Sequence, residues 1–94
     1  VVVTGAGRGL GRALCVEFAR RGRAVAGLGR DPAALAETAA EAGPLFLPVT
    51  CDLADPGAVR AAFAAVRARI GPVDVLVNNA AVYPRRDVLD ETAE

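Results

Sequence analysis

The chain contains no lysine. All 11 of its basic side chains are arginine, set against 11 acidic residues over 94 positions, so the formal net charge is zero. Without lysine there is no phosphate-binding loop ending in GK[ST]. With the arginines scattered among the acids there is no footprint of a nucleic acid or an anionic membrane. Long apolar runs are also missing: none approaches the roughly 20 residues of a membrane-spanning helix, and no signal sequence precedes the first strand, so a soluble cytoplasmic protein is expected. Cysteine is scarce. Cys15 and Cys51 lack the spacing of a zinc site or a redox CxxC pair and are expected as buried, reduced thiols. The length suits at most one small domain. The first residue is Val1 rather than methionine, and Val1 to Val3 reads as a strand already under way, so a fragment of a longer protein is expected.

What is present alternates regularly. Val1 to Thr4 is an apolar run that suits a strand buried on both faces. Leu10, Ala13, Leu14 and Phe18 then recur at helical spacing, and Gly22 stands where a left-handed helix cap belongs. Arg23 to Leu28 reads as a second strand. Asp31 offers an N-cap with Pro32 at the first helical position, and Leu35, Thr38, Ala39 and Ala42 form an inward stripe that Gly43 stops. Leu45 to Cys51 is a third strand, placed at a sheet edge because Pro48 removes a ladder donor. Asp55 and Pro56 repeat the cap, Val59, Ala62, Phe63, Val66 and Ile70 form a third helix face, and Val73 to Val77 is a fourth strand. Strands alternating with helices specify right-handed parallel crossovers, hence an α/β, doubly wound parallel sheet with expected strand order 3-2-1-4. Open sheets of this kind bind ligands outside the carboxyl ends of the strands, where the order reverses.

The stretch "TGAGRGLG", Thr4 to Gly11, holds four glycines in eight positions at such a strand end. A turn without Cβ atoms lets backbone amides and the following helix N-terminus approach a diphosphate. The GxGxxG fingerprint fails in either register, because its last glycine would be Leu10 or Arg12. The pattern that fits is TGxxxGxG, through Thr4, Gly5, Gly9 and Gly11. With "GLGRDP" after the second strand, "CDL" after the third and "NNAA" after the fourth, the chain resembles the short-chain dehydrogenase/reductase family over essentially its whole length. The match is to that family's N-terminal cofactor-binding portion, part of one Rossmann-like NAD(P)-binding domain over residues 1–94.

The resemblance implies roles. The turn Gly5, Ala6, Gly7, Arg8, Gly9, Leu10 and Gly11 would hold the diphosphate and adenosine ribose of a nicotinamide cofactor. Asp52 would accept from the adenine amino group with Leu53 beside the ring, Asn79 and Ala80 would present backbone atoms to the ribose, and Asn78 would brace the sheet. Ala81 stands where the family usually has glycine. An acid at the end of the second strand would hydrogen-bond a ribose 2′-hydroxyl and repel a 2′-phosphate. This chain has Gly29 there, followed by Arg30, and Arg8 in the turn adds a second cation, so NADP is favoured over NAD.

Chemistry in the family depends on a tyrosine, a lysine four residues on, a serine and a further asparagine, all beyond the fourth strand. Here Tyr83 is the only tyrosine and Asp87 holds the partner position, so Tyr83 reads as a wall or packing residue and no catalytic residue is assigned. Pro84 to Glu94 reads as a loop leading to a cap at Thr92. The expected parent is an NADP-dependent oxidoreductase passing hydride between NADPH and a small-molecule carbonyl or alcohol, a homo-oligomer when whole, while residues 1–94 alone would not catalyse and would leave the outer side of strand 4 unpaired. Two alternatives stand beside it. A non-catalytic nucleotide-binding or regulatory protein would share every motif, whereas a methyltransferase using S-adenosylmethionine would want an acid where Gly29 stands.

Overall fold

The computed structural model describes residues 1–79. The readings that fall on Ala80, Ala81, Tyr83 and Thr92 lie outside those residues. The elements alternate strictly: β1 (Val2–Thr4), α1 (Gly9–Arg20), β2 (Val25–Gly29), α2 (Pro32–Ala42), β3 (Phe46–Thr50), α3 (Pro56–Arg69) and β4 (Leu76–Val77). All strand pairs are parallel, and the order across the sheet is β3-β2-β1-β4. The chain therefore reverses its direction of travel between β1 and β4, which makes the gap beyond their carboxyl ends the switch point. β3 lies at the edge, where Pro48 is tolerated.

Each face of the sheet has its own core, and alternation along β1 divides them. Val1 and Val3 join Ala6, Cys15, Val25, Leu35 and Phe46 on the face covered by α1 and α2. Val2 joins Ala26, Leu28, Cys51, Ala62 and Val66 on the face covered by α3. Asp31 and Asp55 cap α2 and α3, each accepting two backbone amides, with proline at the first helical position. Gly22 and Gly43, at φ 83° and 90°, end α1 and α2.

The face of α1 differs from the stripe read in the sequence. Its buried residues are Gly11, Cys15 and Ala19, while Leu10 is 65% exposed and Ala13 is exposed. The helix must lie close to β1, and only small residues at the contact allow that approach, so the buried face is offset from the stripe at Leu10 and Ala13, although Phe18 packs against the core as read. β4 is shorter than Val73 to Val77, although the Val75 carbonyl already accepts from the Val2 amide at 2.9 Å. β2 begins at Val25 rather than Arg23, whose guanidinium instead pairs with Asp74 at 2.6 Å.

Candidate functional site

The glycine turn leaves β1 and enters α1 at the switch point. Gly5 and Ala6 donate their amides to the carbonyl of Leu28 at the end of β2, at 2.9 and 3.2 Å, which fixes the start of the turn. Gly9 has φ 60°, a backbone state that favours glycine, and a Cβ there would meet nothing within 4 Å. At Gly11 a Cβ would fall on the Gly5 carbonyl, so glycine is required for α1 to approach β1. Arg8 precedes α1 in an extended conformation and its side chain does not cap the helix. Among the described residues, no backbone carbonyl accepts from the amides of Gly7, Arg8 or Gly9. They and the first amides of α1 form a run of donors at the positive end of a helix dipole, suited to an anion.

Thr4 and the two asparagines join the turn to β4. The Thr4 hydroxyl accepts from the Asn79 amide at 2.8 Å and lies 3.2 Å from Asn78 Oδ1, and the Asn79 carboxamide donates to the Gly5 carbonyl at 3.4 Å. The backbone amide of Asn79 is thus engaged with Thr4, and both asparagine side chains hold the ends of β1 and β4 together. Ala80 lies outside the described residues.

At the end of β2, Gly29 carries no side chain and Arg30 is exposed, with no ion pair among the described residues. Arg8 does not stand free beside it: its Nη2 is 2.8 Å from Oδ2 of Asp31, with both side chains largely exposed. Asp52, after β3, is exposed and accepts the Ala54 amide on Oδ1 at 3.0 Å, while Leu53 packs against the core of the α3 face. The four strand ends therefore bring the glycine turn, Arg30, Asp52 and Asn79 to one edge of the sheet. Cys15 and Cys51 are buried and unpaired, and burial pushes the Cys15 thiol up to about 11. Among the described residues no group of acids and cysteines is placed to hold a metal ion.

Arg12 and Gly27, which sequence reasoning passed over, and Thr38, which it read only as part of an inward stripe, shape this site. Arg12, in the first turn of α1, donates through Nη2 and Nε to the Gly7 carbonyl at 2.6 and 3.1 Å, and through Nη2 to Glu37 at 2.9 Å. Thr38, fully buried in α2, donates its hydroxyl to the Ala6 carbonyl at 2.9 Å and accepts from Arg12 Nε at 3.1 Å. Gly27 faces Ala6 and Phe46, and a Cβ there would stand 2.6 Å from the Ala6 methyl and strike the Phe46 ring. Thr38 carried a signal, as a hydroxyl on an otherwise apolar helical face; Arg12 and Gly27 carried none.

The sequence and the fold have counterparts in known proteins. The family model described as short chain dehydrogenase matches residues 1–94. The chain belongs to the short-chain dehydrogenase family. Short chain dehydrogenase pigC of Monascus ruber is 40% identical over 94 residues, covering 90% of this chain and 31% of that protein. Among solved structures, a single-residue variant of actinorhodin polyketide ketoreductase with NADPH superposes with TM-score 0.79 at 38% identity, covering 85% of this chain and 32% of that one. The 3-ketoacyl-(acyl-carrier-protein) reductase of Brucella melitensis, complexed with NADH, superposes with TM-score 0.76 at 36% identity, covering 80% and 31%. The chain spans about a third of the length of the first curated relatives it matches.

Proposed function

We propose that this short-chain dehydrogenase chain is the N-terminal part of a single NAD(P)-binding domain in an NADP-dependent oxidoreductase acting on a small-molecule carbonyl or alcohol. The observation that carries the reading is the pairing of an uncapped glycine turn, whose Gly7, Arg8 and Gly9 amides have no acceptor among the described residues, with a β2 end that carries Gly29 and Arg30 and no acid. The turn fits a diphosphate, since its donors lack protein acceptors and its glycines keep Cβ atoms out. Arg30 and Arg8 fit a 2′-phosphate, which a guanidinium binds with paired donors. Arg30 can turn to it freely, whereas Arg8 must leave Asp31.

When bound, the cofactor supplies the hydride. The residues described here would bind and orient it: the turn amides would donate to the diphosphate, Asp52 would accept from the adenine amino group, and the Thr4–Asn79 bond would keep the β1 and β4 ends from separating beneath it. Proton transfer to or from the substrate oxygen needs a general acid/base. The chain has no lysine to depress a phenol, so the reading assigns that role to residues beyond Glu94.

The test is calorimetric titration of the full-length protein with NADPH and NADH, followed by NADPH oxidation against a panel of aldehydes and ketones. NADPH is expected to bind at least about tenfold more tightly, a factor within reach of one charge-assisted contact. Equal or reversed affinities reject the NADP reading. Tight binding without turnover across the panel, in a protein lacking the tyrosine and lysine, supports a nucleotide sensor instead.

A further inference from the structure

A turn that binds a diphosphate must present N–H groups and keep its own carbonyls away, because a carbonyl oxygen facing a phosphate is repulsive and one flipped peptide exchanges a donor for an acceptor. In this chain three successive carbonyls are each held from a different element. Gly5 O accepts from the Asn79 carboxamide at 3.4 Å, Ala6 O from the Thr38 hydroxyl at 2.9 Å, and Gly7 O from both Nη2 and Nε of Arg12 at 2.6 and 3.1 Å. The Gly7 peptide is the most exposed to flipping, since it leads into Arg8 and the left-handed Gly9.

We infer that Arg12 is a positioning residue that locks the Gly7 carbonyl inward, so that the following amides face the cofactor diphosphate. The inference rests on the proposed nicotinamide-cofactor reading of the turn. The guanidinium is itself held by Glu37 at 2.9 Å and Thr38 at 3.1 Å, both on α2, and its side chain is only 27% exposed. With Nε and Nη2 directed at Gly7, Thr38 and Glu37, it acts through the backbone of the turn. Arg8 and Arg30 differ from it in kind. They are exposed and are the two arginines the proposed reading gives to a 2′-phosphate, so they would bear on the choice of cofactor, whereas Arg12 would bear on every nucleotide that carries a diphosphate.

The experiment measures binding of ADP, NADPH, NADH and 2′-AMP to the full-length protein and to its R12K and R12M variants, with thermal melts alongside. R12M removes the fork and the charge, whereas R12K keeps the charge and the aliphatic stem but loses the fork geometry, and remains informative where R12M is too unstable to purify. The expected result is a weakening of about tenfold for ADP, NADPH and NADH alike in both variants, the scale of one charge-assisted hydrogen bond, with 2′-AMP unchanged. Full retention of ADP binding by R12K overturns the inference, since charge alone then suffices. An equal loss for 2′-AMP also overturns it, because the adenosine site as a whole has then been disturbed. A wild-type protein that binds none of these nucleotides overturns the cofactor reading and the inference with it, an outcome distinct from wild-type binding that the variants leave unaltered.

Discussion

Asp31 serves two partners with one carboxylate. Its Oδ1 accepts the amides of Ala33 and Ala34 at 3.0 and 3.3 Å, capping α2, while its Oδ2 holds Arg8 Nη2 at 2.8 Å across the mouth of the glycine turn. The cap serves the fold, and the ion pair engages one of the two arginines that the proposed reading gives to a 2′-phosphate.

The two roles separate in D31N. Asparagine caps a helix about as well as aspartate, so stability should stay within about 0.5 kcal/mol of wild type. Loss of the carboxylate frees Arg8 and removes a negative charge from the proposed phosphate site. The exposed pair is worth about 0.2–1 kcal/mol, so NADPH binding should tighten by about 1.4- to fivefold while NADH binding stays constant. Titration of both cofactors, with a melt as control, checks this. Weaker NADPH binding by D31N would mean that Asp31 supports the phosphate rather than competing with it.

Gly29 tests the proposed cofactor choice from the end of β2. Its backbone does not need a left-handed conformation, and a Cβ there would stand 3.4 Å from Leu35 Cδ2, so a side chain can be accommodated with a small shift of one leucine methyl. G29D puts an acid where it can accept from a 2′-hydroxyl and repel a 2′-phosphate. The ratio of NADPH to NADH affinity should fall by about tenfold or more, the scale of one charge-assisted contact. An unchanged ratio would place the ribose elsewhere.

Gly9 and Gly11 should respond differently to alanine. G9A meets no neighbour and faces only the backbone cost of φ 60°, about 1–2 kcal/mol. G11A drives a methyl into the Gly5 carbonyl, a backbone atom that cannot rotate away, so the cost should reach the upper part of the overpacking range, about 3 kcal/mol, with α1 displaced from β1 and nucleotide binding lost. Denaturant melts of the two variants decide it. Equal destabilisation would show that α1 has room to retreat.

The architecture was legible because its signals are local: Asp-Pro pairs at Asp31 and Asp55 start helices, Gly22 and Gly43 stop them, and Pro48 belongs on an edge. The glycine turn was legible for the same reason. Thr38 was legible as an inward-facing residue, but its bond to Arg12 was not, since the two meet only when α1 and α2 lie side by side on one face of the sheet, 26 residues apart in sequence. The buried face of α1 was misread at Leu10 and Ala13 because close packing against β1 selects for the absence of side-chain volume, which a search for large apolar residues discards. The Arg8–Asp31 pair shows the same limit. Both residues stood out in the sequence, but which arginine would meet the carboxylate depended on how the turn lies against α2.

Cys15 couples the core beneath the turn to alkaline pH. Burial raises its thiol from 9.0 to about 11, so between those values an unfolded chain loses the proton while the folded one retains it. Stability should therefore be intact below pH 9 and fall as pH rises towards 11, by on the order of 2–3 kcal/mol once the folded thiol also ionises. Cys51 is shifted in the same direction, by burial first and then by Asp52 and Asp55, so the wild-type curve contains both contributions. The difference between wild type and C15A isolates the first. Denaturant melts at intervals from about pH 8 to above pH 11 should show that C15A loses less stability than wild type across this window. Parallel curves would mean that the Cys15 thiolate is accommodated by water entering between α1 and β1, and hence that this contact opens far more readily than the close packing at Gly11 implies.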